Sequence, residues 1–433
     1  MPIPSAVPND QAQPDQSDVV IIGAGIAGIS TALELAERGL SVTVCEKGIV
    51  AGEQSSRNWG WCRQMGRDPR ELPLMQHSMQ LWRQMHQRTG EDVGFRECGV
   101  SYLSDTEAKL ASREQWHDNY AGEFGLSSRL ISAAEAKAMT PGATSQWLGG
   151  LLTPDDGRAE PTLAVPAMAR AAQRAGVNVL QNCAVRSIEK QAGKISAVVT
   201  EHGEIKCQQV VLAGGAWSRR FCNNAGIALP QLTVINSVMR TQALDAGIET
   251  SIAASDFAIR KRLDGGYTVA HSTLSVADIM PDSFRLLADF WPVLKDEWRD
   301  YRFRLGKRFF DEARLARRWQ SDEVSPFELV RVLDPRPHGG IQDAALRSLQ
   351  KALPVLQHAQ IAERWAGVID VTPDVVPVIS EVESVPGFFM ATGFSGHGFG
   401  LGPGAGKLMA QIVCGEATCV DPAPFHLQRF DKA

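Results

Sequence analysis

Asp18 to Lys47 reads DVVIIGAGIAGISTALELAERGLSVTVCEK. Val19 to Ile22 is a short apolar run, Gly23, Gly25 and Gly28 form G-x-G-x-x-G, and apolar Ile29, Leu33 and Leu35 follow with helical spacing. This pattern predicts a strand, a tight turn and a helix. Gly39 stands where a helix C-cap is wanted, Val42 to Val44 read as a second buried strand, and Glu46 closes that strand. Gly23 permits the turn, Gly25 lets a pyrophosphate approach the backbone, and Gly28 lets helix and strand pack closely. The amides at the helix start, around Ile26 and Ala27, face the phosphate charge, and Glu46, followed by Lys47, is placed to accept hydrogen bonds from ribose hydroxyls. Strand, helix, second strand and acid stand in register, which a chance glycine-rich loop does not provide.

The rest of the chain sets bounds on the class. Its 433 residues predict two domains, and a hydrophobic content of 44% is ample for full cores. No apolar run reaches the roughly 18 residues of a membrane span, and the start lacks a basic-then-apolar leader, so a cytoplasmic protein without a transmembrane segment is expected. Residues 1–17, with Pro2, Pro4, Pro8 and Pro14, read as a flexible lead-in. A net charge of −5 gives no reason to expect nucleic acid as a partner. The eight cysteines contain no C-x-x-C and no ligand spacing, so reduced thiols and no metal site are expected.

Ser55 to Arg70, SSRNWGWCRQMGRDPR, follows the second strand, where a loop passes beside the ligand. Ser55, Ser56, Arg57, Asn58, Trp59 and Gly60 are therefore candidate cofactor contacts. Arg57 and Arg63 are candidates for a phosphate or a substrate carboxylate, with surface ion pairs as the alternative. Trp59 and Trp61 alternate across Gly60 and would wall a flat ring or simply pack. Leu72 to Arg88 has helical apolar spacing and reads as structural. Val210 to Ala213 forms a strand that ends in Gly214, Gly215, Ala216 and Trp217, again allowing close approach to backbone. Between Asp282 and Gln320 two basic helical stretches are expected, and without an aromatic platform they read as a solvated or partner-facing surface. Near the end, GFSGHGFGLGPGAGKLMAQIV reads as a glycine-rich loop leading into a helix with Pro403 at its first position. Gly396, His397, Gly398, Phe399 and Gly400 in that loop suit the edge of a flavin on which negative charge collects.

Taken in order, DVVIIGAGIAGISTALELAERG with Glu46, DDGRAEP, VVLAGGAWS, WAGVIDVTPDVVPVI, GFSGHGFGLGPGAGKL and PFHLQRF resemble the D-amino-acid oxidase and sarcosine oxidase family of FAD-dependent oxidoreductases. The resemblance spans nearly the whole chain. It implies an α/β, Rossmann-like FAD domain assembled from residues 18–95, 145–225 and 355–433. It also implies an α+β substrate domain with a mixed sheet, from residues 96–144 and 226–354. It adds Val185 at the adenine and Gly214 and Gly215 at the turn beside it, with Ala213 and Trp217 as further cofactor contacts, and it places Arg63 near the position that holds a substrate carboxylate. Gly367 stands where some relatives carry a flavin-linked cysteine, so FAD bound without a covalent link is implied. Ile369 and Asp370 stand where D-amino-acid oxidases carry an arginine. Tyr267, Thr268 and His271 lie on the strand where sarcosine oxidases carry a lysine for oxygen.

The expected activity is FAD-dependent oxidation of a C–N bond in an amino acid or secondary amine, with hydride passing to flavin N5 and the imine then hydrolysing. Oxygen or a quinone or other electron carrier would be the acceptor. Two alternatives stay open: a 2-hydroxy-acid dehydrogenase with His271 or His397 as base, and a flavin-bearing electron-transfer subunit.

Overall fold

The structure, a computed structural model, describes residues 2–9 and 12–431. β1 (Val19–Ile22) leads through the glycine turn into α1 (Ile26–Ala36) and β2 (Val42–Glu46), as the periodicity predicts. β1 is buried along nearly all its length, so every position in it is apolar and no alternation appears. Helix α2 (Leu72–Thr89) buries Leu74, Met75, Met79, Trp82 and Met85 along one face. Farther on come α3 (Pro161–Arg174), β3 (Asn178–Gln181) and β4 (Gln209–Leu212). The chain then runs through β5 (Leu232–Thr241), β6 (Ile361–Val371), β7 (Val378–Glu381), β8 (Phe388–Thr392) and α4 (Gly398–Cys414).

Six strands form the first sheet in the order β7-β8-β4-β1-β2-β3. β1 pairs in parallel with both β4 and β2, β4 with β8, and β2 with β3, while β7 is antiparallel at the edge. A second, mixed sheet of ten strands among the described residues is centred on β5, which pairs antiparallel with β6 along most of its length. Strand Gly149–Thr153 also lies in this sheet, between Val100–Ser104 and Arg129–Ser132. The expected division assigns residues 149–153 and 361–371 to the nucleotide domain, whereas their hydrogen bonds place both strands in the second sheet.

Three further features differ from the sequence reading. The lead-in expected to be flexible is tied down in its described part: the Ser5 amide donates to Thr162, and the Gln181 side chain and backbone bond to Val7 and Asn9. Arg302 and Arg304 lie on an edge strand, Tyr301–Arg304, rather than on a helix. The last helix begins at Gly398, so Pro403 lies inside it rather than at its first position. The glycines misled the reading because they serve helix packing. A Cβ on Gly406 would stand 2.4 Å from Ser30 Cβ of α1, and one on Gly402 would stand 2.6 Å from the Ile26 side chain. Near Pro403, Ser78 Oγ of α2 donates to the Gly400 carbonyl at 2.6 Å and accepts from the Gly404 amide at 3.1 Å, two groups that a regular helix pairs directly.

Candidate functional site

One large cavity, about 880 Å³, runs from the carboxyl ends of β1 and β2 to the start of α4 and on beneath the second sheet. At one end stand Gly23, Gly25, Ile26, Ala27 and Glu46, with Val185, Ala213, Gly214 and Trp217 beside them. Glu46 Oε2 accepts from the Ala24 amide and Oε1 from the Gly48 amide, each at 2.8 Å, so the acid holds the glycine turn as well as facing the cavity. Burial raises its carboxyl above the usual range, and Lys47 and those two amides oppose the shift. A Cβ on Gly23 would lie 2.5 Å from the Ala213 carbonyl, and one on Gly28 would lie 2.0 Å from the Gly23 carbonyl. Only glycine permits this contact between turn, helix and β4.

Several candidates line the cavity but have side chains engaged elsewhere. Lys47 Nζ bonds Glu53 and the Val330 and Arg331 carbonyls. The Arg57 guanidinium, 1% exposed, pairs with Asp334 at 2.9 Å and donates to the Ala366 and Gly52 carbonyls. Ser55 Oγ accepts from the Ile26 amide at 2.9 Å, which fixes the start of α1. Asn58 braces its own turn through Gln54, Ser55 and Gly60. Gly367 lines the cavity against the Arg57 side chain. Ser56 and Gly60 do not line it: Ser56 Oγ donates to the Glu53 carbonyl, and Gly60 packs on Arg260 and Ala159.

The two histidines separate. His271 is outside the cavity lining, although Ser272 and Thr273 belong to it. Its Nδ1 accepts from the Thr273 and Leu274 amides, so it caps a turn, and burial lowers its pKa. His397 lines the cavity together with Gly396, Gly398, Phe399 and Gly400, at the start of α4. Its Nδ1 is 3.4 Å from Glu71, which is 3.6 Å from Arg67, and Arg67 also donates to the His397 carbonyl. Burial, then Arg67, pushes the imidazole below its ordinary value, and burial brings Arg67 itself down to about 10. Burial would raise the Glu71 carboxyl, but His397 and Arg67 outweigh it and hold the group below the usual range.

Arg63 lines the cavity near Trp59, Trp61 and Tyr102. The two tryptophans meet edge to face at 5.5 Å. Arg63 donates to the Met65 carbonyl and lies over the Tyr102 ring. Its turn is clasped from below by Asp156, which accepts from the Gln64 amide at 2.7 Å and the Met65 amide at 3.2 Å. Burial raises the Asp156 pKa to about 7, and its backbone bonds oppose the rise. Sequence reasoning quoted Asp156 within DDGRAEP without assigning it a role, and it passed over Arg67, Glu71 and Tyr102. Nothing local marks these four, because the partners that define them lie in other segments. It likewise missed the outer part of the cavity, where Leu287, Phe290, Val293 and Leu294 of one short helix face inward.

The glycine turn, the acid at the end of β2 and the cavity running on to a helix start at the far end fit an elongated dinucleotide. The chain belongs to the FAD-dependent oxidoreductase family whose model, DAO, matches residues 18–412. It has the fold the motifs implied. Among solved structures it is similar to the L-amino acid deaminase of Proteus myxofaciens in complex with anthranilate, at 37% identity and a TM-score of 0.95, covering 99% of this chain and 97% of that one. The L-amino acid deaminase of Proteus vulgaris is 34% identical with a TM-score of 0.93, covering 98% of this chain and 99% of that one. Among curated proteins, the mitochondrial sarcosine dehydrogenase of Mus musculus is 25% identical over 98% of this chain, and the chain spans 43% of its length. No described helix is long and apolar enough to cross a membrane.

Proposed function

We propose that this chain oxidises the C–N bond of an amino acid or a related carboxylate-bearing amine, giving an imine that water hydrolyses. The observation that carries this reading is Arg63, a residue that lines the same cavity as Glu46 and has no carboxylate partner among the described residues. A guanidinium grips a carboxylate through two parallel bonds, which fixes the substrate's α-carbon relative to the cofactor. The amine and amino-acid activities named for the similar proteins support the same class.

In this reading Gly23, Gly25 and Glu46 hold the adenosine and phosphates, and the first turn of α4 with His397 meets the ring. Bound there, FAD supplies the acceptor for the hydride that leaves the substrate carbon. Trp59 and Trp61 wall the substrate space and exclude water. Cys45 is the one cysteine lining the cavity among the described residues, and it lies on β2, whereas Gly367 lies on β6 of the second sheet. This supports FAD held without a covalent link. His271 caps a turn outside the cavity, which weighs against one of the two bases a hydroxy-acid reading would use. The electron acceptor, oxygen or a quinone-type carrier, completes the cycle.

Anaerobic mixing tests the reading: an amino acid should bleach the flavin absorbance, whereas a 2-hydroxy acid should not. Denaturation should release the flavin into the supernatant. Arg63→Lys should raise KM for the carboxylate substrate more than it lowers kcat, because the contact exists in ground and transition states alike. Bleaching by hydroxy acids alone would overturn the C–N assignment.

A further inference from the structure

The basic side chains lining the cavity are not equivalent. Lys47, Arg57, Arg67 and Arg331 each have a carboxylate partner, respectively Glu53, Asp334, Glu71 and Glu201. Arg63 has none among the described residues, although Asp156 is near enough to feel its charge. Beside it Tyr102 lines the same cavity, and its hydroxyl makes no hydrogen bond among the described residues. The two polar ends converge. A Cβ built on Gly66 would lie 3.4 Å from Arg63 Nη1 and 3.7 Å from the Tyr102 hydroxyl. One carboxylate bridges donors up to roughly 7 Å apart at ordinary hydrogen-bond lengths.

A second guanidinium supports the ring. Arg113, on the helix Glu107–Tyr120, stands 4.8 Å from the Tyr102 ring centroid, against 5.6 Å for Arg63. Its Nε is buried without a hydrogen-bond partner, and it is not part of the cavity lining. Two guanidinium groups share one ring, and neither is ion-paired with a carboxylate among the described residues. Such a place favours an anion.

We propose that the Tyr102 hydroxyl and the Arg63 guanidinium form a two-point carboxylate subsite, with Arg113 as a positioning residue that holds the Tyr102 ring. This inference rests on the reading of Arg63 given above and adds the second donor. Tyr102 donates its O–H to one carboxylate oxygen while Arg63 takes the other. The subsite therefore selects substrates by an acid group and leaves the amine end to the ring side of the cavity.

Calorimetric titration of the FAD-loaded protein tests it with anthranilate and with aniline, the same ring without the carboxylate. Wild type should bind anthranilate and bind aniline at least about tenfold more weakly. Tyr102→Phe keeps the ring and should weaken anthranilate about tenfold, the scale of a lost hydrogen bond to a charged group, with aniline binding and FAD content unchanged. Arg113→Met should weaken anthranilate by a smaller factor and spare aniline. If Arg63→Lys weakens anthranilate while Tyr102→Phe binds it as wild type does, the Tyr102 subsite is overturned and the Arg63 reading stands. If neither variant changes anthranilate binding while wild type still discriminates against aniline, both fall. Equal binding of the two probes by wild type also removes the subsite.

Discussion

Replacing Gly406 by alanine tests whether α4 is set in position by the absence of side chains. The added Cβ would lie 2.4 Å from Ser30 Cβ, 2.6 Å from Ser30 C and 2.7 Å from the Thr31 amide nitrogen, where ordinary contact begins at 3.4 Å. Two of those three atoms are backbone, so no rotamer change relieves the clash, and α1 and α4 must part by about 1 Å. A gap of that size forfeits a quarter to a half of the dispersion well for each facing pair of atoms. Overpacking costs about 1–3 kcal/mol, and alanine's better helix propensity returns up to about 1 kcal/mol. A net loss of about 1–2 kcal/mol is expected. For Gly402→Ala the three nearest atoms all belong to the Ile26 side chain, at 2.6–3.0 Å, which can turn aside, so it should cost less. Because α1 begins at the cavity-lining glycine turn and α4 at His397, Gly406→Ala should also weaken FAD binding, and Gly402→Ala should do so less. Urea unfolding of the apo-proteins and calorimetric FAD titration read both effects. A Gly406→Ala protein as stable and as tight for FAD as wild type, or one that outperforms Gly402→Ala, would refute the argument.

Ser78→Ala leaves the buried Gly404 amide without its side-chain acceptor, while the Gly400 carbonyl keeps Trp82 Nε1 at 2.9 Å; a loss of about 1–3 kcal/mol in urea unfolding is expected. Glu46→Ala should weaken FAD by about 1.5–3 kcal/mol, ten- to roughly 150-fold in Kd, and free adenosine monophosphate should lose affinity alongside it while riboflavin does not. Asp156 has a folded pKa raised to about 7 from an ordinary 3.8. Its favourable term is therefore complete below about pH 4 and is lost as pH rises through 7. Asp156→Asn should remove that loss, so the stability of the variant relative to wild type should rise by on the order of a few kcal/mol between pH 4 and 8; parallel pH profiles would count against it.

How much the sequence disclosed depended on distance along the chain. β1, the glycine turn, α1, β2 and Glu46 are consecutive, and each is announced by its own periodicity or punctuation, so that unit was legible complete. Arg57 and Lys47 were read as ligand contacts because their partners, Asp334 and the carbonyls of residues 330 and 331, lie some 280 residues away. His271 sits one residue before two cavity-lining neighbours, and its engagement with the Thr273 and Leu274 amides is visible only once the turn is folded. In GFSGHGFGLGPGAG, glycine density reads as loop, yet at 402 and 406 it marks the face on which another helix lies. Arg302 and Arg304 appeared helical by continuity with basic neighbours, and only pairing with Ser275–Asp278 makes them strand.

The order β7-β8-β4-β1-β2-β3 has a consequence for how the protein is made. β1 leaves the ribosome early, but its neighbour β4 ends at residue 212, and β8 beyond that ends at residue 392. Helix α4, which packs on α1, follows later still. The Gly23–Glu46 end of the cleft can therefore form while the α4 end is still being translated, and a half-built sheet with an open β4 edge must wait through about 175 residues of intervening chain. Supply of the cofactor during synthesis, rather than after it, should then govern how much of the protein escapes aggregation.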